Sequence, residues 1–85
     1  MLIEYKKEAL KRLARMQPKL AAAFRRDLAK ITADPFGTHT NAKASTGAKD
    51  AFRFKHGDWR ALYRIDRETQ TMVVEAIVPR GGAYR

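Results

Sequence analysis

Cysteine is absent from this chain of 85 residues, which excludes disulfide staples and thiolate catalysis and leaves any structural zinc site poor in ligands. Acidic residues are scarce as well: 9 Asp and Glu face 18 Lys and Arg, a formal net charge of +9. That balance favours polyanionic partners (RNA, DNA, an acidic protein or an anionic surface) without choosing among them. No apolar run approaches the roughly 20 residues that cross a bilayer. The opening MLIEY is followed at once by charged residues, so no signal peptide is read and the cytoplasm is the expected location. Repeats and low-complexity segments are also missing. The acids form no cluster with metal-ligand spacing, so neither a metal nor another cofactor is expected.

An apolar content of 45% is ordinary for a folded chain, and residues 1–85 make one small domain with room for one core. Residues 2–5 read as a short strand, after which Ala9, Leu10, Leu13 and Met16 recur at helical spacing. Pro18 suits the first turn of a second helix, where its missing N–H costs little. Leu20, Phe24, Leu28 and Ile31 then form one apolar stripe, with Lys19, Arg25, Arg26 and Lys30 on the wet side. Asp34-Pro35-Phe36-Gly37 is a stop signal, and the polar residues 38–49 read as a loop. Strands are expected over residues 51–56 and 59–65, turned around by Gly57-Asp58, and over 71–78, ended by Pro79. The resulting fold class is α+β in the order β-α-α-β-β-β: a small twisted antiparallel sheet with a helical hairpin packed on one face.

Basic side chains interleave with the apolar ones at strand period. Phe52 and Phe54 alternate with Arg53 and Lys55, and Trp59, Ala61, Tyr63 and Ile65 alternate with Arg60, Leu62 and Arg64. These cations could simply solubilise the open face of a half-covered sheet. Against that reading, Arg60 follows a tight hairpin beside the cations of the preceding strand. Like charges opposite one another are unfavourable unless a ligand compensates them. The closing RGGAYR adds Arg80 and Tyr84, and Gly81-Gly82 allow that segment to bend closely around a partner or the sheet.

The segments GDWRALYRID and VVEAIVPRGGAY resemble the RelE/ParE toxin superfamily of bacterial type II toxin–antitoxin systems, whose members carry strands reading roughly G-D-Y/W-R-x-x-Y and a later R-x-x-x-Y. The resemblance covers essentially the whole chain and implies the same fold. GDWRALYRI is specific for the superfamily and weak for the branch, since gyrase-directed ParE-like toxins share it. The RelE-like branch implies a metal-independent, ribosome-dependent mRNA endonuclease; the ParE-like branch implies inhibition of DNA gyrase by binding, without RNA chemistry. An inactive nucleic-acid- or ribosome-binding member is a third reading.

Carried over residue by residue, the RelE-like pattern assigns the alternating basic pair to Arg53 and Lys55, the hairpin Arg to Arg60, the late Arg to Arg80 and the terminal Tyr to Tyr84. The departures are Arg at 53, where Lys is common, Pro79 before Arg80, and a chain that stops one residue after Tyr84. The implied reaction is attack by a ribose 2′-hydroxyl on the adjacent phosphodiester. Lys55 would be base or proton relay, Arg60 with Arg53 a phosphate clamp, Arg80 a second clamp or leaving-group stabiliser, and Tyr84 a stacking platform. The implied partners are mRNA in the ribosomal A site and a cognate antitoxin, which can assemble with the toxin as a heterotetramer. No membrane partner is implied.

Other polar residues receive bland readings. His56 and Asp58 are assigned to the hairpin turn, and His39 to the polar loop. Trp59 and Tyr63 are assigned to the core under the helices. Glu75 is placed on the Val73/Ile77 face, paired with a neighbouring Arg.

Overall fold

The stripes and alternations become seven elements in a computed structural model, which describes residues 1–37, 39, 42–45 and 49–79. Their order is β1 (Leu2–Tyr5), α1 (Lys7–Arg15), α2 (Pro18–Thr32), β2 (Ala42–Ala44), β3 (Ala51–His56), β4 (Trp59–Asp66) and β5 (Thr71–Pro79). One sheet of five strands runs β1-β5-β4-β3-β2, with both helices on one of its faces. Neither helix is long and apolar enough to cross a membrane.

The helices bury most of the residues that their periodicity singles out; Leu20 is half-buried, and Leu10, expected on the α1 stripe, is instead 44% exposed. Ala9, Leu13 and Met16 of α1 and its C-terminus meet Phe24, Leu28 and Ile31 of α2 in one core. The sheet contributes Phe54, Ala61, Tyr63, Ile65, Met72, Val74 and Ile77 to the same cluster. Pro18 opens α2 as expected. Beyond that helix, the Gly37 N–H donates to the Asp34 carbonyl at 3.0 Å, and a Cβ at 37 would overlap the Asp34 carboxylate. Any larger residue there would require the exposed Asp34 side chain to turn aside.

Three features correct the sequence-based picture. β1 pairs parallel with β5, from Leu2↔Thr71 to Tyr5↔Val74, so the sheet is mixed rather than antiparallel. Parallel neighbours need a long crossover, and here everything from α1 to β4 lies between the two strands. Within the stretch read as a loop, Ala42–Ala44 form a fifth strand that shields the edge of β3, pairing Ala42↔Phe54 and Ala44↔Phe52. The third correction concerns Glu75. Tyr63 pairs with Val74 but Leu62 with Ala76, which makes Glu75 the extra residue of a bulge. The bulge re-phases β5, so Ile77 joins Met72 and Val74 in the core while Val73 is buried outside that cluster.

Tyr63 is the largest fully buried side chain, 2% exposed, and its ring stacks on Phe52 at 5.4 Å and 15°. Burial raises its hydroxyl from 10.0 to about 12. A raised folded-state value favours folding fully below the unfolded value and loses that contribution as pH climbs from about 10 to about 12. Two units correspond to about 3 kcal/mol. Tyr63→Phe should therefore lose less stability than the parent in urea titrations across that window. Equal alkaline losses in the two proteins would show that Tyr63 does not contribute.

A surface latch fixes where β3 begins. The Arg67 guanidinium donates to both Asp50 carboxylate oxygens, at 2.7 and 3.0 Å, and lies over the Phe36 ring at 4.1 Å. That hydrogen bond holds the Asp50 carboxyl below its ordinary range. The Asp50 carbonyl in turn accepts the Ile65 N–H at 2.8 Å.

Candidate active site

Strand alternation decides which side chains share the uncovered face of the sheet. With Phe54 and Ala61 paired and buried, the flanking pairs Arg53↔Leu62 and Lys55↔Arg60 must point away from the helices. The tight turn fixes that register. Gly57, at φ +58, takes the first central position of a two-residue loop between His56 and Trp59, a conformation that strains any other residue. A one-residue slip would exchange the two faces, burying Lys55 and exposing Phe54.

Lys55 thus stands directly opposite Arg60, with Arg53 two residues along the same strand and face. Arg53 and Lys55 are exposed and Arg60 is half-buried. Lys43 of β2 stands opposite Arg53 and extends the cationic row. Arg64 belongs to the same face, but its Nε lies 3.7 Å from the Glu75 carboxylate, so its charge is compensated. Among the described residues, no carboxylate forms an ion pair with Lys43, Arg53 or Lys55. A shallow depression of about 360 Å³ beside Arg53 is lined by Ala51, Leu62, Glu75 and Ser45 as well.

Three of the five residues assigned from the sequence, Arg53, Lys55 and Arg60, are therefore brought together. Arg80 and Tyr84 lie outside the described residues. Lys43 escaped the sequence reading because a three-residue strand between polar stretches gives too little alternation to register. The only signal was its position between two alanines.

The histidines lie elsewhere. His56 is on the helix side of β3, where its Nδ1 is 3.2 Å from Asp27 Oδ2 of α2 and its ring is 5.1 Å from Phe24. This dyad ties the hairpin that carries Lys55 and Arg60 to the helical layer. Asp27→Ala should lower stability by about 1 kcal/mol, the usual worth of a partly buried hydrogen bond. The urea midpoint reads that loss, and an unchanged midpoint would mean that the dyad contributes nothing to the fold. His39 turns its Nε2 to the Asp34 carbonyl at 2.6 Å. Trp59 packs on the core with Arg12 over its ring at 5.3 Å.

The family model described as "ParE toxin of type II toxin-antitoxin system, parDE" matches residues 3–84. This chain belongs to that toxin family. Its fold is that of RelE/ParE toxins of known structure. The chain resembles the toxin–antitoxin complex RelBE2 of Mycobacterium tuberculosis at TM-score 0.74 and 23% identity, covering 93% of this chain and 96% of the other. It resembles the isolated RelE toxin of E. coli at TM-score 0.81 and 15% identity, with coverages of 98% and 87%. The RelE–RelB complex of Pyrococcus horikoshii gives TM-score 0.81 at 19% identity, with coverages of 96% and 97%. At these identities the likeness is one of fold. No curated protein sequence matches the toxin significantly.

Proposed function

We propose that this toxin is a ribosome-dependent mRNA endonuclease of the RelE-like branch. The observation that carries the reading is the Lys55↔Arg60 register with Arg53 beside it, on a sheet face that neither described helix covers. Lys43 stands opposite Arg53 with Lys55 two residues along, like charges that repel one another and that a phosphodiester laid across the strands compensates.

In this reading the ribose 2′-oxygen attacks the adjacent phosphorus, forming the P–O2′ bond as the P–O5′ bond breaks. Lys55 accepts or relays the 2′-hydroxyl proton, and the 5′-oxygen leaves after gaining a proton. The products are a 2′,3′-cyclic phosphate and a free 5′-hydroxyl, with no water or co-reactant consumed. Arg60 and Arg53 hold the phosphoryl oxygens as their charge grows. Arg80 serves as the second clamp or leaving-group stabiliser, and Tyr84 as the base-stacking platform. Lys and Arg are weak acid–base catalysts at neutral pH, so alignment of the mRNA in the ribosomal A site supplies much of the rate. Naked RNA is accordingly a poor substrate.

The cognate partner in this reading is an antitoxin. Solved relatives include complexes of RelE with RelB, a pairing that supports the same arrangement here. The match to a ParE family model favours a second reading, gyrase inhibition by binding. Mapping mRNA 5′ ends after brief induction separates the two. In-frame breaks confined to translated regions are expected from the endonuclease. Intact mRNA accompanied by DNA damage and filamentous cells would instead support gyrase as the target.

A further inference from the structure

The cationic sheet face leaves most of the net charge unexplained. The two helices, on the other side of the molecule, carry eight Lys and Arg against one Glu and one Asp. With Ala9, Leu13 and Met16 buried, Lys7, Lys11 and Arg15 form an exposed row on α1. With Phe24, Leu28 and Ile31 buried, Lys19, Arg26 and Lys30 form another on α2. The four-residue steps Lys7–Lys11, Lys11–Arg15 and Arg26–Lys30 place those charges about 6 Å apart along the axis, and the seven-residue step from Lys19 to Arg26 about 10 Å. Like charges four residues apart destabilise a helix by about 0.2–0.5 kcal/mol per pair. Among the described residues the rows make one ion pair, Arg26 to Asp27 at 3.9 Å. The α1 row also borders a groove of about 380 Å³ against Ala76–Val78 of β5, with Lys11, Arg12 and Arg15 on its wall beside one carboxylate, Glu8.

We propose that these two rows dock the phosphate backbone of duplex RNA, giving the toxin a second nucleic-acid surface opposite its candidate active site. Composition selects nucleic acid over protein. Protein interfaces gather Tyr, Trp, Phe and Met at their centres and are depleted in Lys, whereas four of these six residues are Lys. The exposed residues beside them are Ala14, Ala22 and Ala29, with Leu10 the one large apolar group, at the edge of the α1 row, so these exposed positions carry no aromatic ring. The same lack of rings separates duplex from single strand, because single-stranded RNA is held largely by stacking on aromatics. Duplex RNA is bound through phosphates and 2′-hydroxyls with little sequence preference. The choice of RNA over DNA rests on the ribosome-directed reading above.

The test is the salt dependence of binding to a fully paired RNA duplex, measured by fluorescence anisotropy without ribosomes. The triple variants K7Q/K11Q/R15Q and K19Q/R26Q/K30Q are compared with the parent toxin, each checked for an unchanged circular dichroism spectrum. Each triple should weaken binding roughly tenfold and reduce the log–log salt slope by about 2 to 3, the amount for three phosphate contacts. A slope within about 0.5 of the parent in both variants would overturn the proposal, since their charges would then touch no phosphate. Equal or tighter binding to a DNA duplex of the same sequence would overturn the assignment to RNA. Cleavage of ribosome-bound mRNA is scored separately, so a toxin that binds duplex yet cuts nothing would refute the nuclease reading while sparing the phosphate dock.

Discussion

Arg60→Ala should slow cleavage of ribosome-bound mRNA by about 100- to 1,000-fold under single-turnover conditions, the range seen when one preorganised donor to a transition-state oxyanion is removed. Arg60 stands directly across from Lys55, a register in which a guanidinium and the proposed base would reach one phosphate. A guanidinium presents a planar fork of donors that can hold two phosphoryl oxygens as negative charge builds on them. The variant should keep the parent circular dichroism spectrum and its affinity for the antitoxin. Arg60→Lys should recover only part of the rate, because a point charge replaces a bidentate fork. A rate within about threefold of the parent for Arg60→Ala would remove this residue from the transition state.

Phe24→Ala should destabilise the toxin by about 3–5 kcal/mol, the range for emptying a fully buried aromatic position. Phe24 is completely buried and meets Phe54 edge-on at 5.9 Å and 87°. It also touches the His56 ring at 5.1 Å, so α2, the β3–β4 hairpin and the dyad meet at this one side chain. Small domains have total stabilities of about 5–15 kcal/mol, so this single change removes a large share. Its effect should run through folding alone: in stabilising osmolyte, the refolded fraction should cleave at the parent rate. A loss below about 1 kcal/mol would mean that the interface between α2 and the hairpin is not the structural centre described here.

Much of this arrangement was legible because two periodicities were clean. Phe24, Leu28 and Ile31 recur at helical spacing and all three are buried. Across the β3–β4 hairpin, Phe54 and Ala61 are buried on one face while Arg53, Lys55 and Arg60 take the other, and a two-residue turn with glycine at φ +58 leaves no freedom in the register. Alternation fails where the chain is apolar on both sides. From Met72 to Val78 nothing in the pattern marks Glu75 as an inserted residue, and the bulge that carries Ile77 into the core is a property of the backbone. Parallel pairing of β1 was equally hidden: Leu2–Tyr5 would read the same in either orientation, and the crossover decides it. Lys43 and the cationic helix rows were visible as residues but not as surfaces, since one needed β2 and the other needed to be seen against an already charged sheet.

The most direct test of the central idea, that the sheet-face cations act on one phosphodiester through its neighbouring 2′-hydroxyl, is an end-group measurement. An mRNA programmed on ribosomes would carry a single 2′-deoxy sugar immediately 5′ of the mapped cleavage position. The all-ribose message should be cut to a 2′,3′-cyclic phosphate and a 5′-hydroxyl, and the deoxy message should remain intact at that site. Cleavage of the deoxy message at the ribose rate, or products ending in a 5′-phosphate, would contradict the account.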